Sequence, residues 1–252
     1  MSDPANNAAV NIDQAELDRF AKLASDWWDP NGKFKPLHKI GPARLGYIRD
    51  RVTSHFKLQP RQSLKPFAGL TMLDIGCGGG LISEPLSRLG ASVTAIEPAE
   101  ANIGAARAHA AATGLTIDYQ ATTAEDLSAR GCSFDCVVCL EVVEHVPDPA
   151  AFVKVCGSLV RPGGLLILST INRTLKAYAL AIVGAEYILR WLPVGTHQWD
   201  RFITPAELDG HVQAAGFGAL AVEGIVFNPL ADRWSIGRDT DVNYIGAAAK
   251  PN

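Results

Sequence analysis

Leu73-Asp74-Ile75-Gly76-Cys77-Gly78-Gly79-Gly80 is the stretch on which the fold turns. A short apolar run that closes on glycines reads as a buried strand, a tight turn and the start of a helix. The amides of that helix start are free to meet a ligand. Working outward, residues 72–75, 93–96, 117–119, 137–140 and 165–169 are short, apolar and rich in β-branched side chains. Helical stretches lie between them at 82–88, 99–113 and 150–160. Strands apolar on both faces, alternating with crossover helices, predict a parallel, doubly wound α/β sheet. Gly90 and Gly114 stand where helices need a left-handed stop, and Pro162-Gly163-Gly164 makes a tight lead into the fifth strand. Thr204-Pro205-Ala206-Glu207 predicts a helix opened by a capping box and ended at Gly216. Two last strands are expected at 220–227 and 244–249.

Ahead of the sheet, Leu17, Phe20, Ala21, Ala24, Trp27 and Trp28 recur at helical spacing, with Asp13 placed as a cap. A second helix is expected over 43–56, after the lead-in Phe34-Lys35-Pro36-Leu37-His38. This strandless front, 13–65, reads as a helical cover on a single domain spanning 13–252, with residues 1–12 disordered. The whole chain has 252 residues, enough for one large core, and 48% of them are hydrophobic. A net charge of −3 argues against a nucleic-acid partner. Five cysteines with no paired spacing fit a reducing cytoplasm, four of them (Cys132, Cys136, Cys139 and Cys156) falling in expected strands or helices. The first eleven residues do not read as a signal peptide, and no window is apolar enough to span a membrane.

The glycine turn predicts an adenosine-type ligand. A dinucleotide fingerprint would need a third glycine where Leu81 stands; Gly80 comes one residue early. Glu97 closes the second strand 21 residues after Gly76, where a carboxylate can accept both hydroxyls of a ribose. After the third strand, Glu125 and Asp126 either flank the adenine end or form a solvated helix cap.

Beyond the fourth strand comes Glu141-Val142-Val143-Glu144-His145-Val146-Pro147-Asp148-Pro149. Carboxyl ends of strands face the crevice of an open α/β sheet, so these side chains belong where a substrate lies. His145 can serve as general base, with Glu144 beside it, toward a phenol whose ordinary pKa near ~10 keeps it neutral. Alternatively Glu141, Glu144 and His145 hold a hard divalent ion such as Mg2+, which would draw out the oxyanion; the plainer reading is that Glu144 and His145 form a polar loop orienting the turn of Pro147 and Pro149.

Residues 172–199 interrupt the alternation. They carry Arg173, Lys176 and Arg190 against Glu186, around the apolar run 177–185. A basic, aromatic-containing amphipathic insertion beside a crevice suggests docking on anionic lipid or a lid over a greasy substrate; a buried helix or dimer contact is the plainer alternative.

The successive segments 73–80, 134–141 and 159–165 resemble the motifs of class I S-adenosylmethionine-dependent methyltransferases. More narrowly, Arg44-Leu45-Gly46-Tyr47-Ile48, residues 139–149, Val183-Gly184-Ala185-Glu186-Tyr187-Ile188-Leu189-Arg190, Gly195-Thr196-His197 and Asp241-Val242-Asn243-Tyr244 resemble the ubiquinone biosynthesis O-methyltransferase family. The resemblance runs from about Trp27 to Tyr244. It implies a seven-stranded, mostly parallel Rossmann-like sheet whose last strand is antiparallel. It implies S-adenosylmethionine as donor, with Asp74, Gly76 and Gly78 at its methionine part, Glu97 at the ribose, Leu140 lining the pocket and Arg44 also in contact. Glu97 stands where the family's usual residue is aspartate. The implied acceptors are polyprenylated phenols or quinols of the 3-demethylubiquinol and 2-polyprenyl-6-hydroxyphenol type. The implied setting is cytoplasmic, peripheral on the inner face of the cell membrane through 172–199, with contacts to other ubiquinone-biosynthesis proteins. A C-methyltransferase, or an enzyme for another phenolic acceptor, shares the same donor turn.

Overall fold

The computed structural model describes residues 24–59, 63–180 and 199–252. The expected disordered start, most of the first helix and the apolar run of the insertion beyond 180 lie outside these residues. Five parallel strands form the first part of the sheet: β1 (Thr71–Ile75), β2 (Ser92–Ile96), β3 (Asp118–Gln120), β4 (Phe134–Leu140) and β5 (Val160–Ile171). Then come β6 (Ala221–Asn228), β7 (Arg233–Gly237) and β8 (Asn243–Ala249). The spatial order is β3-β2-β1-β4-β5-β8-β6-β7. The chain winds outward from β1 to β3, then returns to place β4 on the other side of β1. That reversal opens a crevice at the strands' carboxyl ends.

Alternation along the central strands feeds two cores. Val137 and Cys139 of β4, with Leu166 and Leu168 of β5, bury on one face under α4 (Ala124–Ala129), α5 (Pro149–Ser158) and α6 (Pro205–Ala214). Cys136 and Val138, with Leu165 and Ile167, bury on the other under α1 (Lys35–His55), α2 (Ser83–Arg88) and α3 (Glu100–Ala112). Period-two strands covered on both sides produce this pattern and explain the near-continuous apolar runs. The capping box at Thr204 is complete, Gly216 has φ +90°, and Gly90 and Gly114 are left-handed as their positions require.

Three expectations are corrected. The sheet has eight strands, not seven: β7 pairs antiparallel with β6 from Gly224↔Gly237 to Asn228↔Arg233. Both β5–β8 and β6–β8 are antiparallel, so β6 itself runs parallel to β5 and β8 is the reversed strand between them. The helix expected at 43–56 begins at Lys35. Pro36 sits in its first turn, where no amide hydrogen is needed, and Pro42 is carried inside. Trp27 and Trp28 do not continue a helix; a 3-10 turn (Ala24–Asp26) ends before them and both rings turn into the crevice. All five cysteines are free thiols, with Cys132 only partly buried in the turn before β4. Among the described residues no helix is long and apolar enough to cross a membrane.

Replacing Thr204 by Ala removes the hydroxyl that accepts from the Glu207 amide and donates to its carboxylate, while the backbone amide at 204 keeps its bond to Glu207. The expected cost is about 1 kcal/mol, read as a fall in Tm of roughly 2–4 °C in thermal unfolding; an unchanged Tm would contradict the cap's role.

Candidate active site

The glycine turn is pinned by one acceptor. The amides of Gly76 and Cys77 both donate to the carbonyl of Ile96, at 2.9 and 3.0 Å, so the turn after β1 is tied to the last residue of β2. Gly76, Gly78 and Gly80 all have left-handed φ, of 70°, 52° and 91°. L-residues pay for that conformation, and a side chain has no room besides. A Cβ on Gly76 would lie 2.4 Å from Val142 Cγ2, and one on Gly80 would lie 2.2 Å from the Tyr119 hydroxyl.

A pocket of about 1060 Å³ opens at this edge of the sheet. Arg44, Asp74, Gly76, Gly78, Glu97, Glu125, Leu140, Glu141, Glu144 and His145 all line it, which brings every candidate site residue to one cavity. Asp74 is buried and accepts a 2.6 Å hydrogen bond from Ser83 Oγ; burial nevertheless raises its pKa to about 7. Glu97 is likewise raised by burial, against hydrogen bonds from the Ala99 amide, the Asn102 side chain and the Gly78 backbone. These bonds aim its carboxylate from the end of β2 toward the turn. The Glu125/Asp126 alternative divides: Glu125 lines the pocket, whereas the Asp126 amide donates to Thr123 Oγ1 and its carboxylate accepts from Thr122, which is a helix cap.

Arg44 reaches in from α1. It is buried and paired with Glu141 at 2.8 Å, while its Nε has no partner among the described residues. A buried guanidinium with an unmet donor beside a glycine turn suits a ligand carboxylate. Glu141 is held by that pair and by Ser169 Oγ at 2.7 Å, on a backbone of φ +54°. A non-glycine residue in this region marks a local constraint that the surroundings must enforce.

Glu144 is fully enclosed. One carboxylate oxygen accepts from Thr170 Oγ1 at 2.8 Å; the other, Oε1, has no partner among the described residues. Burial, with the neighbouring charge of Glu141 second, lifts its pKa to about 7, and His145 opposes the rise. His145 follows on the same 3-10 turn, half-buried at the pocket wall. The residues of the divalent-ion alternative meet at this wall. Glu141 bonds Arg44 and Ser169, one oxygen of Glu144 bonds Thr170, and Glu144 Oε1 has no partner among the described residues, of which no three His, Cys, Asp or Glu side chains are drawn together as a preformed metal set.

Two contributors escape the sequence reading. Trp27 lies across the turn: a Cβ on Gly78 would meet its ring at 2.3 Å, and one on Gly79 at 2.4 Å. Its ring stacks on Phe34 at 3.8 Å, and its Nε1 donates to Asn102 Oδ1 at 2.9 Å. Asn102 in turn bonds Glu97, so a chain of contacts runs from the roof of the turn to that carboxylate. Trp28 donates to the Gly79 carbonyl at 2.9 Å and stacks on His109. Paired tryptophans before a glycine turn were the available signal, but their partners lie 75 and 51 residues away.

Comparison with known proteins places this geometry. A family model described as a methyltransferase domain matches residues 47–222. The chain is 53% identical over 251 residues to the ubiquinone biosynthesis O-methyltransferase of Parvibaculum lavamentivorans, covering 99% of both chains. It is 54% identical over 242 residues to the protein of that name from Chelativorans sp., covering 96% of this chain and 95% of that one. Among solved structures, it resembles an S-adenosylmethionine-dependent methyltransferase of Thermotoga maritima with TM-score 0.64 at 18% identity, covering 94% and 100%. It also resembles the magnesium protoporphyrin IX methyltransferase of Synechocystis with bound S-adenosylmethionine, with TM-score 0.61 at 22% identity, covering 97% and 100%. At those identities the structures speak for the fold.

Gly76→Ala adds both backbone strain and a clash with Val142. It should weaken S-adenosylmethionine binding at least tenfold in calorimetry while the protein stays folded; unchanged affinity would remove the turn from the ligand site.

Proposed function

The chain belongs to the ubiquinone biosynthesis O-methyltransferases, and from that membership we propose how its residues carry a methyl group from S-adenosylmethionine to a phenolic oxygen. The observation that carries the reading is the single pocket that joins the glycine turn and Glu97 to the Glu141–His145 cluster. Glu97 takes the ribose hydroxyls, Glu125 flanks the adenine and Leu140 packs in the pocket. Arg44, fixed by Glu141, offers its unmet Nε to the methionine carboxylate, next to Gly76 and Gly78. Asp74, whose raised pKa lets it hold a proton near neutrality, stands under the same part of the ligand.

Bound there, the donor supplies an already activated methyl on a sulfonium. The protein's remaining work is alignment and deprotonation. The phenol of the acceptor gives its proton to the imidazole of His145, and the oxygen so exposed attacks. The carboxylate of Glu144 steadies the charge that arrives on His145. Its raised pKa makes that support pH-dependent: below about 7 Glu144 is protonated and neutral, above it negative. The acceptor is a polyprenylated phenol or quinol of ubiquinone biosynthesis, with the oxygen rather than a ring carbon as target.

The membrane reading rests on the flank of the insertion that is described. Leu175, Tyr178 and Leu180 are exposed around Lys176, whose ammonium is paired with Asp239 and Asp241, so the edge offered to a lipid interface is apolar, with a cytoplasmic, peripheral protein as the consequence.

His145→Ala should lower kcat by roughly 10²–10⁴-fold at unchanged affinity for S-adenosylmethionine, and a retained rate would remove His145 as base. In wild type, kcat at saturating donor should rise as pH passes through about 7, and Glu144→Gln should shift that limb without erasing it, since the base His145 must also be unprotonated; a limb that stays in place removes Glu144 from it. Anionic vesicles should sediment the protein, and Leu175→Asp with Tyr178→Asp should release it. Sedimentation unaffected by the pair would contradict this contact.

A further inference from the structure

Because β6 runs parallel to β1–β5, its carboxyl end reaches the same crevice edge as the donor turn. The pocket therefore does not stop at the Glu141–His145 cluster. It continues past the ends of β5 and β8 to the turn between β6 and β7. There its walls change character. Leu37 and Ile40 of α1 face Ile225 and Phe227 of β6, Pro229 of the turn and Trp234 of β7, with no charged group among the six. Phe227 and Trp234 hold one another with ring centroids 5.2 Å apart.

Two further features define this wing. Lys39 on α1 bonds both carboxylate oxygens of Asp232 at 2.7 Å, clasping the helix to the β6–β7 turn along the outer side. Next to Pro229, Leu230 projects almost wholly into solvent at 99% exposure, so the wing ends beside an apolar side chain offered outward. At about 1060 Å³ the pocket lies at the top of the usual range of about 300–1,000 Å³, and its lining runs on from the glycine turn and the Glu141–His145 cluster to Pro229 and Trp234. From β4 to β7 is four strand spacings, about 19 Å, a span that suits several isoprene units in line.

We propose that this wing, walled by α1 and the β6–β7 hairpin, is the channel for the acceptor's isoprenoid tail, with Trp234 as its main recognition surface. The proposal rests on the O-methyltransferase reading above and adds where the tail lies. The phenol ring sits at His145, and the tail runs along the crevice edge away from the donor. It leaves past Leu230 toward the lipid from which the substrate comes. An apolar wall costs nothing to leave in contact with an apolar chain, whereas a polar head would be stranded there.

The test has two arms. In the first, kcat/KM is measured for a catechol with a prenyl tail and for the same catechol without one. The preference of wild type for the tailed acceptor should fall roughly ten- to hundredfold in Trp234→Ala and be largely restored in Trp234→Phe. An unchanged preference, or equal loss on both acceptors, overturns the channel. In the second, binding of labelled geranylgeraniol, which carries a tail and no phenol, is measured without any methyl transfer. Wild type should bind it and Trp234→Ala should bind at least tenfold more weakly; failure of wild type to bind overturns the proposal. Binding of the alcohol by a protein that methylates neither catechol would sink the proposed reaction and leave the channel standing.

Discussion

One backbone carbonyl organises the donor half of the molecule. By accepting from both Gly76 and Cys77, Ile96 fixes the glycine turn against the end of β2, one residue before Glu97. The distance between turn and carboxylate is thus set by main-chain bonds inside the sheet rather than by side-chain choice. That matters for the proposed donor complex, in which a nucleoside and its amino-acid arm would meet both at once. The left-handed glycines make the turn possible, and the reversal of strand order between β1 and β4 leaves open space above it. Trp27 then roofs the turn and, through Asn102, shares a hydrogen-bond chain with Glu97.

The acceptor half depends on buried charge held in check. Arg44 and Glu141 are a buried or half-buried pair, and such a pair persists only where its remaining donors and acceptors are met. Ser169 meets one; Arg44 Nε waits for another. The constrained backbone of Glu141 turns β4 into the 3-10 segment that carries Glu144 and His145. Glu144, enclosed with one unmatched oxygen, sits near the midpoint of its titration at neutral pH, where small changes in neighbouring charge move protons.

Much of the fold was legible because strands buried on both faces must be apolar throughout, and positive φ strongly favours glycine at the turns between them. The capping box at Thr204 was readable for the same reason: its chemistry is local. The strand β7 was not. Arg233-Trp234-Ser235-Ile236-Gly237 is five residues long, has no fully buried member and follows a proline turn, so its periodicity is too brief to stand out. The early start of α1 was missed too: residues 34–38 read as a lead-in, although Pro36 lies in the first turn, where a helix tolerates it. At the site, the acidic–histidine cluster was visible, but spacing could not tell which partner would claim Glu141. Arg44, 97 residues earlier in the chain, pairs with it in three dimensions. Trp27 and Asn102 were hidden by the same limit, since their meeting is made by the tertiary fold alone.

The central claim is that donor turn and His145 cluster act on one phenolic oxygen. Its most direct test is transfer of isotope-labelled methyl from S-adenosylmethionine to a prenylated catechol, with the position of the label determined by NMR. An aryl methyl ether is the product this account requires. Label on a ring carbon, or no transfer at all, would contradict it.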